Sequence, residues 1–454
     1  MTYQGALSYL NSFLNYEQIT AYHYPEAFSL DRMERFLERL GNPHQRYPSL
    51  HVAGTKGKGS TCAFAASILS SAGLKVGLYT SPHLISFRER MRIDGEPISE
   101  SGLAEVVEQI RPVASEDLTF FEVTTACAFL YFAQANVDVA VIEVGLGGRL
   151  DATNVLLPEV TAITPVSLDH MTKLGTTLPE IAREKAGILK PNIPAVIAPQ
   201  PDEAMRVIEE VSASRAVPLH LLEREVRVEP EQVGTSGSHA TVRTPVRTYD
   251  SLQVPLLGRH QLVNVAVAIR MVELLTNRRK MEALTQSAVR EGIQKTSWLG
   301  RCQLIEVTPP ILLDGAQNAA SAQVLKGTVE ELLRGRKVTA VVGISTDKDL
   351  KGIAAVLGPW AHRLVLTKAD VPRAEPPDKL AKEFRAWHPQ PAICALVSQA
   401  LECAKECTQG RDLIVVTGSL FVVAEALETV GLLNGLARLP LTAEQEQAGA
   451  GHSR

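Results

Sequence analysis

The sequence predicts an α/β protein with two domains: a larger N-terminal domain with a parallel sheet and a small antiparallel insert, and a smaller C-terminal α/β domain. Short, almost wholly apolar segments recur along both halves of the chain, and helical segments separate them. Strands this apolar are buried on both faces, which is typical of a parallel sheet covered by helices. The length of 454 residues suits two or three domains.

The N-terminal domain is predicted to span residues 1–297 and to contain four buried strands, each followed by a polar or glycine-rich turn. Their sequences are SLHVAG, KVGLYTSPH, VDVAVIEVGLGG and VTAITPVSLDH. The segments STCAFAASILSSAG and LPEIAREKAGILKP are predicted to be helices that end near Gly73 and Gly187. Residues 220–257 are rich in Val, Thr and Arg around a turn-prone GTSGSH, which predicts the antiparallel insert.

The C-terminal domain is predicted to span residues 298–435 and to be a smaller, Rossmann-like α/β unit. Its apolar strands are PPILLDGAQ, KVTAVVGIS, HRLVLTKA and DLIVVTGSL, and helical segments such as SAQVLKGTVEELLRG lie between them. Four strands that alternate with helices are typical of a doubly wound sheet. Residues 436–454 are predicted to form a flexible tail.

Composition and charge argue against several classes of protein. The net charge is −4 without a long basic block, so no nucleic-acid partner is expected. No apolar run reaches the roughly 18 residues of a membrane helix, and the N-terminus lacks the pattern of a signal sequence. The six cysteines form no C-x-x-C pair, and the spacing of Cys403 and Cys407 alone is weak evidence for a metal. We expect a cytoplasmic protein with reduced thiols, and take a monomer as the starting expectation.

The segment LHVAGTKGKGSTCAF joins a predicted strand to a predicted helix, and its residues 54–60 contain three glycines and two lysines. Such a turn exposes backbone N–H groups, and the helix start adds partial positive charge, so phosphate oxygens fit there. The segment departs from the usual G-x-x-x-x-G-K-[ST] pattern, because Ser60 stands where lysine is expected and Lys58 precedes Gly59. A glycine-rich turn without a ligand is the alternative on this stretch alone.

Polar side chains follow three other predicted strands, at the carboxyl ends where ligands collect in open parallel sheets. They are Thr80 with Ser81, Glu143, and Asp169 with His170. A hydroxyl, a carboxylate and an imidazole beside a phosphate loop suit Mg²⁺ that bridges to a nucleotide, because Mg²⁺ takes few protein ligands and keeps waters and phosphate oxygens. Each residue alone is weak evidence, but together they predict a P-loop ATPase-like N-terminal domain.

A series of motifs also occurs in order from about residue 30 to residue 425. They are HVAGTKGKGS, GLYTSPHL, VIEVGLGGRLDATN, SLDH with IAREKAGI, GRHQLVNVAVAI, LGRCQ and TGSL. In these motifs the chain resembles folylpolyglutamate synthase, including its bifunctional dihydrofolate synthase form, a branch of the Mur ligase superfamily. The resemblance implies an ATP-dependent amide ligase, in which ATP phosphorylates a carboxylate of a pterin substrate and the amine of L-glutamate then displaces phosphate.

The resemblance further implies roles for residues of the nucleotide and metal site. The phosphate loop would comprise Gly54, Thr55, Gly57, Lys58, Gly59 and Ser60. Lys58 would be the cation beside the β- and γ-phosphates, and Lys58, Lys185 and His170 would be the catalytic residues. The Mg²⁺ ligands, for one or two ions, would be Ser81, Glu143 and His170. Lys185 matches a lysine that this superfamily often carries as a carbamate, an anion able to help bind a second metal ion.

The remaining implied contacts involve both domains. Adenosine and phosphate would be contacted by Asn264, Arg301 and Asp314. The substrate side would hold Asp151, Gln317 and Ser419, with Lys348 as a looser candidate. Gln317 departs from the family pattern, since DGAQN replaces the usual DGAHN, and glutamine cannot supply an imidazolium. Lys56 replaces a common Asn and adds positive charge to the loop.

The implied substrates are ATP, L-glutamate, and dihydropteroate or reduced folates. TSPHL and GLGGRLDATN look more like the bifunctional form than the folate-only form. Two alternatives stay open: a Mur-like ligase for another carboxylic acid, and a catalytically silent nucleotide-binding module. The RLDATN loop argues against the first, and the intact site lysines, acid and histidine argue against the second.

Overall fold

The computed structural model describes residues 1–17, 19, 28–281 and 284–434, which form two compact units. The first unit comprises Met1–Pro82 and Arg88–Trp298, and the second comprises His83–Phe87 and the described residues from Leu299 onward. Residues 436–454, predicted to be a flexible tail, lie outside the described residues. None of the helices in the described ranges is long and apolar enough to cross a membrane.

The first unit alternates strands and helices along most of its length. Its strands are β1 (Ser49–Ala53), β2 (Val76–Tyr79), β3 (Met91–Ile93), β4 (Glu96–Pro97), β5 (Val139–Glu143), β6 (Val160–Ile163), β7 (Ala195–Ile197), β8 (Leu219–Leu221), β9 (Arg227–Gly234), β10 (Gly237–Arg243) and β11 (Thr248–Val254). Its α-helices are α1 (Tyr3–Asn11), α2 (Leu30–Arg39), α3 (Lys58–Ser71), α4 (Glu100–Ile110), α5 (Phe120–Gln134), α6 (Met171–Leu174), α7 (Leu178–Ala186), α8 (Asp202–Arg215), α9 (Leu222–Glu225), α10 (Arg259–Arg279) and α11 (Gln286–Lys295). Short 3₁₀ helices cover Pro43–Gln45, Phe87–Arg90 and Ala152–Val155.

Eight strands of the first unit form one sheet in the order β4-β3-β2-β5-β1-β6-β7-β8. The six strands from β2 to β8 are parallel, and β3 and β4 continue the sheet as antiparallel neighbours. Every residue of β1, β2, β5 and β6 is buried, which confirms the predicted parallel sheet covered on both faces. Because these four strands are neighbours, the polar turns that follow them meet at one edge of the sheet.

The predicted antiparallel insert is a three-stranded sheet in the order β11-β10-β9. It begins later than expected, because residues 219–221 extend the main sheet as β8 and residues 222–225 form α9. The insert packs with α3 and α10 into a hydrophobic core that includes β1, β5 and β6. This core fixes α3 and α10 against the sheet, beside the end of β1.

The second unit is a smaller α/β unit, in which one sheet has helices between its parallel strands. Its strands are β12 (Gln303–Ile305), β13 (Ile311–Leu313), β14 (Val338–Val342), β15 (Arg363–Leu366), β16 (Ala392–Ile393) and β17 (Leu413–Thr417). Its helices are α12 (Ala319–Leu332), α13 (Leu350–Leu357), α14 (Pro377–Phe384), α15 (Val397–Cys407) and α16 (Leu420–Asn434). The order is β12-β13-β17-β14-β15-β16, with β12 antiparallel to β13 and the others parallel. The four predicted strands are β13, β14, β15 and β17, and the short β12 and β16 extend the sheet.

Candidate active site

The glycine-rich loop between β1 and α3 has a backbone that requires glycine at two positions. Gly54 has a φ of +143° and Gly57 has a φ of +88°. A Cβ atom on Gly54 would lie 1.8 Å from Oγ1 of Thr164, and one on Gly57 would lie 2.3 Å from Oδ1 of Asn264. Glycine is therefore needed both for the dihedral angles and for the close approach of two neighbouring side chains.

Hydrogen bonds hold this loop against the segment that follows β6. The amides of Thr55 and Lys56 both donate to the carbonyl of Pro165, at 3.1 and 3.3 Å. The Thr55 hydroxyl donates to the carbonyl of Ser167 and accepts from its amide, both at 3.1 Å. The first half of the loop is thereby fixed, so the position at which α3 begins is fixed too.

Helix α3 starts directly at the end of the loop, and its first amides are available to a ligand. Gly57 is its N-cap residue, and within the described part of the chain no side chain caps it. Side chains cap many of the other helices in the described ranges, but α6, α8, α9, α10, α14 and α15 also lack such a cap, so α3 is distinguished by the glycine-rich loop before it and by Lys58 at its first position. Uncapped N–H groups and the positive end of the helix dipole suit an anion such as phosphate.

Glu143, Ser81 and Lys58 come together where β5, β2 and the loop after β1 end. The Ser81 amide donates to Oε2 of Glu143 at 3.2 Å, and Nζ of Lys58 lies 3.8 Å from Oε1 of the same carboxylate. Glu143 is buried, and its carboxylate gains a donor and a cation from these two neighbours. The structure thus brings three of the sequence-predicted residues into one cluster.

His170 follows β6 and lies next to a second acidic residue. Its Nε2 atom is 3.9 Å from Oδ1 of Asp169, and Nζ of Lys56 is 3.0 Å from Oδ2 of that carboxylate. Lys56 therefore does more than add charge to the loop, because it ties the loop to the end of β6. His170 itself adopts a left-handed backbone with a φ of +50°.

Ser81 lies beside Glu143, whereas His170 lies beside Asp169 after β6. Within the described ranges, no group of three or more His, Cys, Asp or Glu side chains could hold a metal ion by itself. The predicted set of Ser81, Glu143 and His170 offers one carboxylate, one hydroxyl and one imidazole. That set is too small for a closed metal centre, but it fits Mg²⁺, which fills its coordination with waters and phosphate oxygens.

Lys185 projects from α7 into the floor of the loop. Its Nζ atom donates to the carbonyl of Gly54 at 2.9 Å, and its side chain is buried. Burial, followed by the charge of Lys58, lowers the pKa of Lys185 to about 7. A lysine of this pKa is partly a neutral amine near neutral pH, so it is a nucleophile as well as a cation.

Asp151 is turned into its own loop instead of facing outward. Its Oδ2 atom accepts from the amide of Leu146 at 2.8 Å, and its Oδ1 atom accepts from the amide of Thr153 at 3.0 Å. The carboxyl is buried, and burial raises its pKa. Nε2 of His51 lies 2.8 Å from the Thr153 hydroxyl and anchors this loop to β1. Asp151 thus shapes the GLGGRLDATN loop through contacts within the protein.

Asp314 and Gln317 follow β13 and Ser419 follows β17, whereas Arg301 precedes β12, the antiparallel neighbour of β13. Oδ2 of Asp314 accepts from the amide of Cys302 at 2.9 Å, and a Cβ atom on Gly315 would lie 3.2 Å from Nη1 of Arg301. The amide of Gln317 donates to the Ser321 hydroxyl at 3.1 Å, just before α12.

The other two candidates of this unit are buried. Oγ of Ser419 accepts from the amide of Phe421 at the start of α16. Nζ of Lys348 lies 3.7 Å from Asp347, which also pairs with Arg373 at 2.7 Å. Lys348 is thus part of a buried ion-pair cluster that the sequence did not reveal.

Two neighbours of the loop, Thr164 and Trp298, were missed by the sequence analysis. Thr164 contacts Gly54, and a Cβ atom on Gly59 would lie 3.1 Å from Nε1 of Trp298. The guanidinium of Arg92 lies 5.8 Å from the centre of the Trp298 ring. The position of Trp298 beside the predicted domain boundary could have suggested a residue near the site. A single threonine after a strand, such as Thr164, gives no such indication.

Two family models match this chain. Residues 52–272 match the family model described as Mur ligase middle domain, and residues 300–420 match the Mur ligase, glutamate ligase domain. The two matches together define a Mur ligase.

Individual relatives show which branch of the Mur ligases this chain resembles. The dihydrofolate synthase/folylpolyglutamate synthase of Bacillus subtilis is 36% identical over 412 residues, covering 87% of this chain and 93% of that protein. A structure of Mycobacterium tuberculosis folylpolyglutamate synthase complexed with ADP has a TM-score of 0.87 at 32% identity, covering 97% and 99% of the two chains. An Escherichia coli FolC structure in complex with DHPP and ADP has a TM-score of 0.84 at 30% identity, covering 95% and 98%. The chain therefore belongs to the folylpolyglutamate synthase/dihydrofolate synthase family of Mur ligases. The predicted fold class, family and ligase class are confirmed.

Proposed function

We propose that this chain is an ATP-dependent amide ligase that joins L-glutamate to dihydropteroate and, in further rounds, to the glutamate of reduced folates. The observation that carries the proposal is the loop at residues 54–57, which opens onto the uncapped start of α3 with Lys58 and Glu143 beside it. The names of relatives such as the Bacillus subtilis protein support both activities.

The chemistry is a phosphoryl transfer followed by an acyl transfer. An oxygen of the substrate carboxylate forms a bond to the γ-phosphorus of ATP, and the bond to ADP breaks. The amine nitrogen of glutamate then attacks the acyl carbon, phosphate leaves, and the nitrogen loses a proton. Phosphoryl transfer needs mainly positioning and charge neutralisation, which the loop amides and Lys58 supply.

Mg²⁺ would be held by Glu143 and Ser81, with His170 as the third predicted ligand. When bound, the ion would neutralise charge on the β- and γ-phosphates. Lys58, 3.8 Å from Glu143, would bring a cation to the same phosphates. The two oxygens of Glu143 face different groups: Oε2 accepts from the Ser81 amide, and Oε1 lies near Nζ of Lys58. Glu143 would therefore both hold Mg²⁺ and orient Lys58.

The remaining roles follow from position. Asn264 packs on Gly57 and would contact the nucleotide from α10. We propose that residues 1–297 bind ATP and that residues 298–435 contribute Arg301 and Asp314 to nucleotide binding. Gln317 and Ser419, at strand ends of that domain, would orient glutamate or phosphate.

Asp151 would act indirectly, because both of its oxygens accept hydrogen bonds within the protein. We propose that it positions the GLGGRLDATN loop against the pterin substrate, a change from the direct contact implied by the family resemblance. We still expect a cytoplasmic protein that is a monomer. Size-exclusion chromatography with light scattering would test the oligomeric state.

ADP release tests the proposed function and separates it from its alternatives. The purified chain is assayed with ATP, Mg²⁺ and L-glutamate, together with dihydropteroate, tetrahydrofolate or a cell-wall peptidoglycan precursor. We expect release with dihydropteroate and with tetrahydrofolate. Release with the peptidoglycan precursor alone would indicate a different Mur ligase, and no release with any acid would indicate a silent nucleotide-binding module.

The Gly57→Ala variant is expected to bind ATP at least tenfold more weakly than the wild type. Its Cβ atom would displace the Asn264 side chain, and its φ of +88° is unfavourable for alanine by about 1–2 kcal/mol. Gly95→Ala is the matched control, because Gly95 has a φ of +86° but nothing within 4 Å of its Cβ position. Calorimetric titration with an ATP analogue measures both. Equal losses in the two variants would mean that backbone strain alone is responsible.

A further inference from the structure

A cavity of about 750 Å³ lies in the first unit, at the opposite edge of the sheet from the glycine loop. Pro194 and Pro218, which immediately precede β7 and β8, line it, so it lies at the amino ends of these strands. The last turns of α10 line it as well. Asn264, which touches the glycine loop, is 13 residues from Asn277 in the cavity wall, roughly 20 Å along the helix. The cavity is therefore separate from the candidate active site, and its size is that of an ordinary ligand pocket.

A fixed polar network forms one side of this cavity. Arg270 is buried and pairs with Glu225 at 3.0 Å and with Glu273 at 3.2 Å. Glu273 is also buried, and the Tyr249 hydroxyl donates to its Oε1 atom at 2.9 Å. His220 lies 3.0 Å from Glu225 and completes the network. Held from several directions, these groups give the cavity a preformed wall.

Among the described residues that line the cavity, cations outnumber carboxylates. Arg247, Arg278 and Lys280 line it and are exposed. Arg278 shares Glu159 with a neighbouring arginine. In the described part of the chain, neither Arg247 nor Lys280 forms an ion pair. Two cations therefore stand at the entrance, available to an anion from solution.

Apolar surface makes up much of the rest of the wall. It is contributed by Pro194, Pro218, Val246, Leu274, Met281 and Leu284. A small inorganic anion would use the rim and leave this surface in contact with water, whereas an aromatic ring would cover it. A ligand cation would meet the like charge of the rim.

We propose that this cavity is a second ligand site, which binds a small aromatic carboxylate with its ring against the apolar wall and its carboxylate at Arg247 and Lys280. The arrangement matches the usual composition of small-molecule sites, with a mostly apolar lining and a few placed polar groups. The proposal does not depend on the ligase activity, because none of these residues belongs to the candidate active site.

Calorimetric titration of the full chain with 2,6-naphthalenedicarboxylate tests the site. We expect saturable binding to the wild type, and at least tenfold weaker binding to the double variant Arg247→Ala/Lys280→Asn. Both residues are exposed, and asparagine tolerates the left-handed backbone of Lys280, which has a φ of +51°. The fold is therefore expected to survive, and circular dichroism checks it.

Two further variants separate a built site from general attraction to positive charge. Leu284→Asp places an anion in the apolar wall and should also weaken binding at least tenfold. Arg206→Ala removes an exposed arginine on α8, outside the cavity lining, and should leave binding unchanged. Absent binding, equal binding by the double variant, or full competition by equimolar sulfate would each overturn the proposal.

Discussion

Replacing Lys58 with alanine is expected to lower kcat about 10³-fold or more while the chain stays folded. Lys58 is the first residue of α3, and its Nζ atom lies 3.8 Å from the buried carboxylate of Glu143. In the proposed reaction it supplies positive charge where the γ-phosphoryl group leaves ADP. Removing that charge raises the free energy of the transition state more than that of the bound ground state. The value of kcat should therefore fall by a larger factor than the affinity for ATP. Initial-rate measurements of ADP release give both quantities.

The control for this variant is the same substitution at an exposed lysine outside the candidate active site. Lys295→Ala removes an exposed lysine that pairs with Glu291 on α11, and should keep wild-type kcat. Thermal unfolding of both variants separates lost chemistry from lost structure. If Lys58→Ala retains more than a tenth of the wild-type kcat, Lys58 does not have the proposed phosphate role.

The main features of the fold followed from the sequence because they depend on burial. The strands β1, β5 and β14 are fully buried, and their continuous apolar runs are visible in the sequence. The strands β7 and β16 have three and two residues, too few for any periodic pattern to form. Their places in the sheets are set by the partners they pair with, which a single sequence does not report.

The site was predictable to the extent that it depends on strand ends. Ser81, Glu143 and the glycine loop meet because β2, β5 and β1 are adjacent and parallel. The direction of a side chain is a different matter. Asp151 lies in the expected loop but turns inward, because the amides of Leu146 and Thr153 each donate a hydrogen bond to one of its carboxylate oxygens. The pattern RLDATN contains that aspartate but not its hydrogen bonds.

The environment of Lys185 favours the carbamate that the family resemblance implies. Its amine is buried, donates to the carbonyl of Gly54, and has a pKa lowered to about 7, first by burial and then by the charge of Lys58. Carbamate formation joins Nζ to the carbon of CO₂ and releases a proton from the nitrogen, so it requires the neutral amine. With a pKa of about 7, roughly half of the Lys185 side chains are neutral at pH 7, compared with roughly one in three thousand for a lysine with an ordinary pKa.

The Lys185→Ala variant is therefore expected to lose at least about 10²-fold in kcat, and added bicarbonate should not restore it. The wild type should lose activity in CO₂-depleted buffer and regain it with bicarbonate. Lys190→Ala is the matched control, because Lys190 is partly buried, has a pKa lowered by burial, and like Lys185 donates to a backbone carbonyl, that of Asn154. That variant should keep kcat within tenfold and show the same response to bicarbonate as the wild type.

The pH dependence of the bicarbonate response distinguishes a carbamate from a plain cation at Lys185. Below a pKa of about 7 the amine is mostly protonated, so half-maximal reactivation should need at least tenfold more dissolved CO₂ at pH 6 than at pH 8. A cation at this position would behave in the opposite way, because its charge is gained as the pH falls. If Lys185→Ala is inactive while the wild type is indifferent to CO₂ at both pH values, then the ammonium and not the carbamate performs the role. Normal activity in Lys185→Ala would exclude both, because neither group could then be needed beside the phosphate loop.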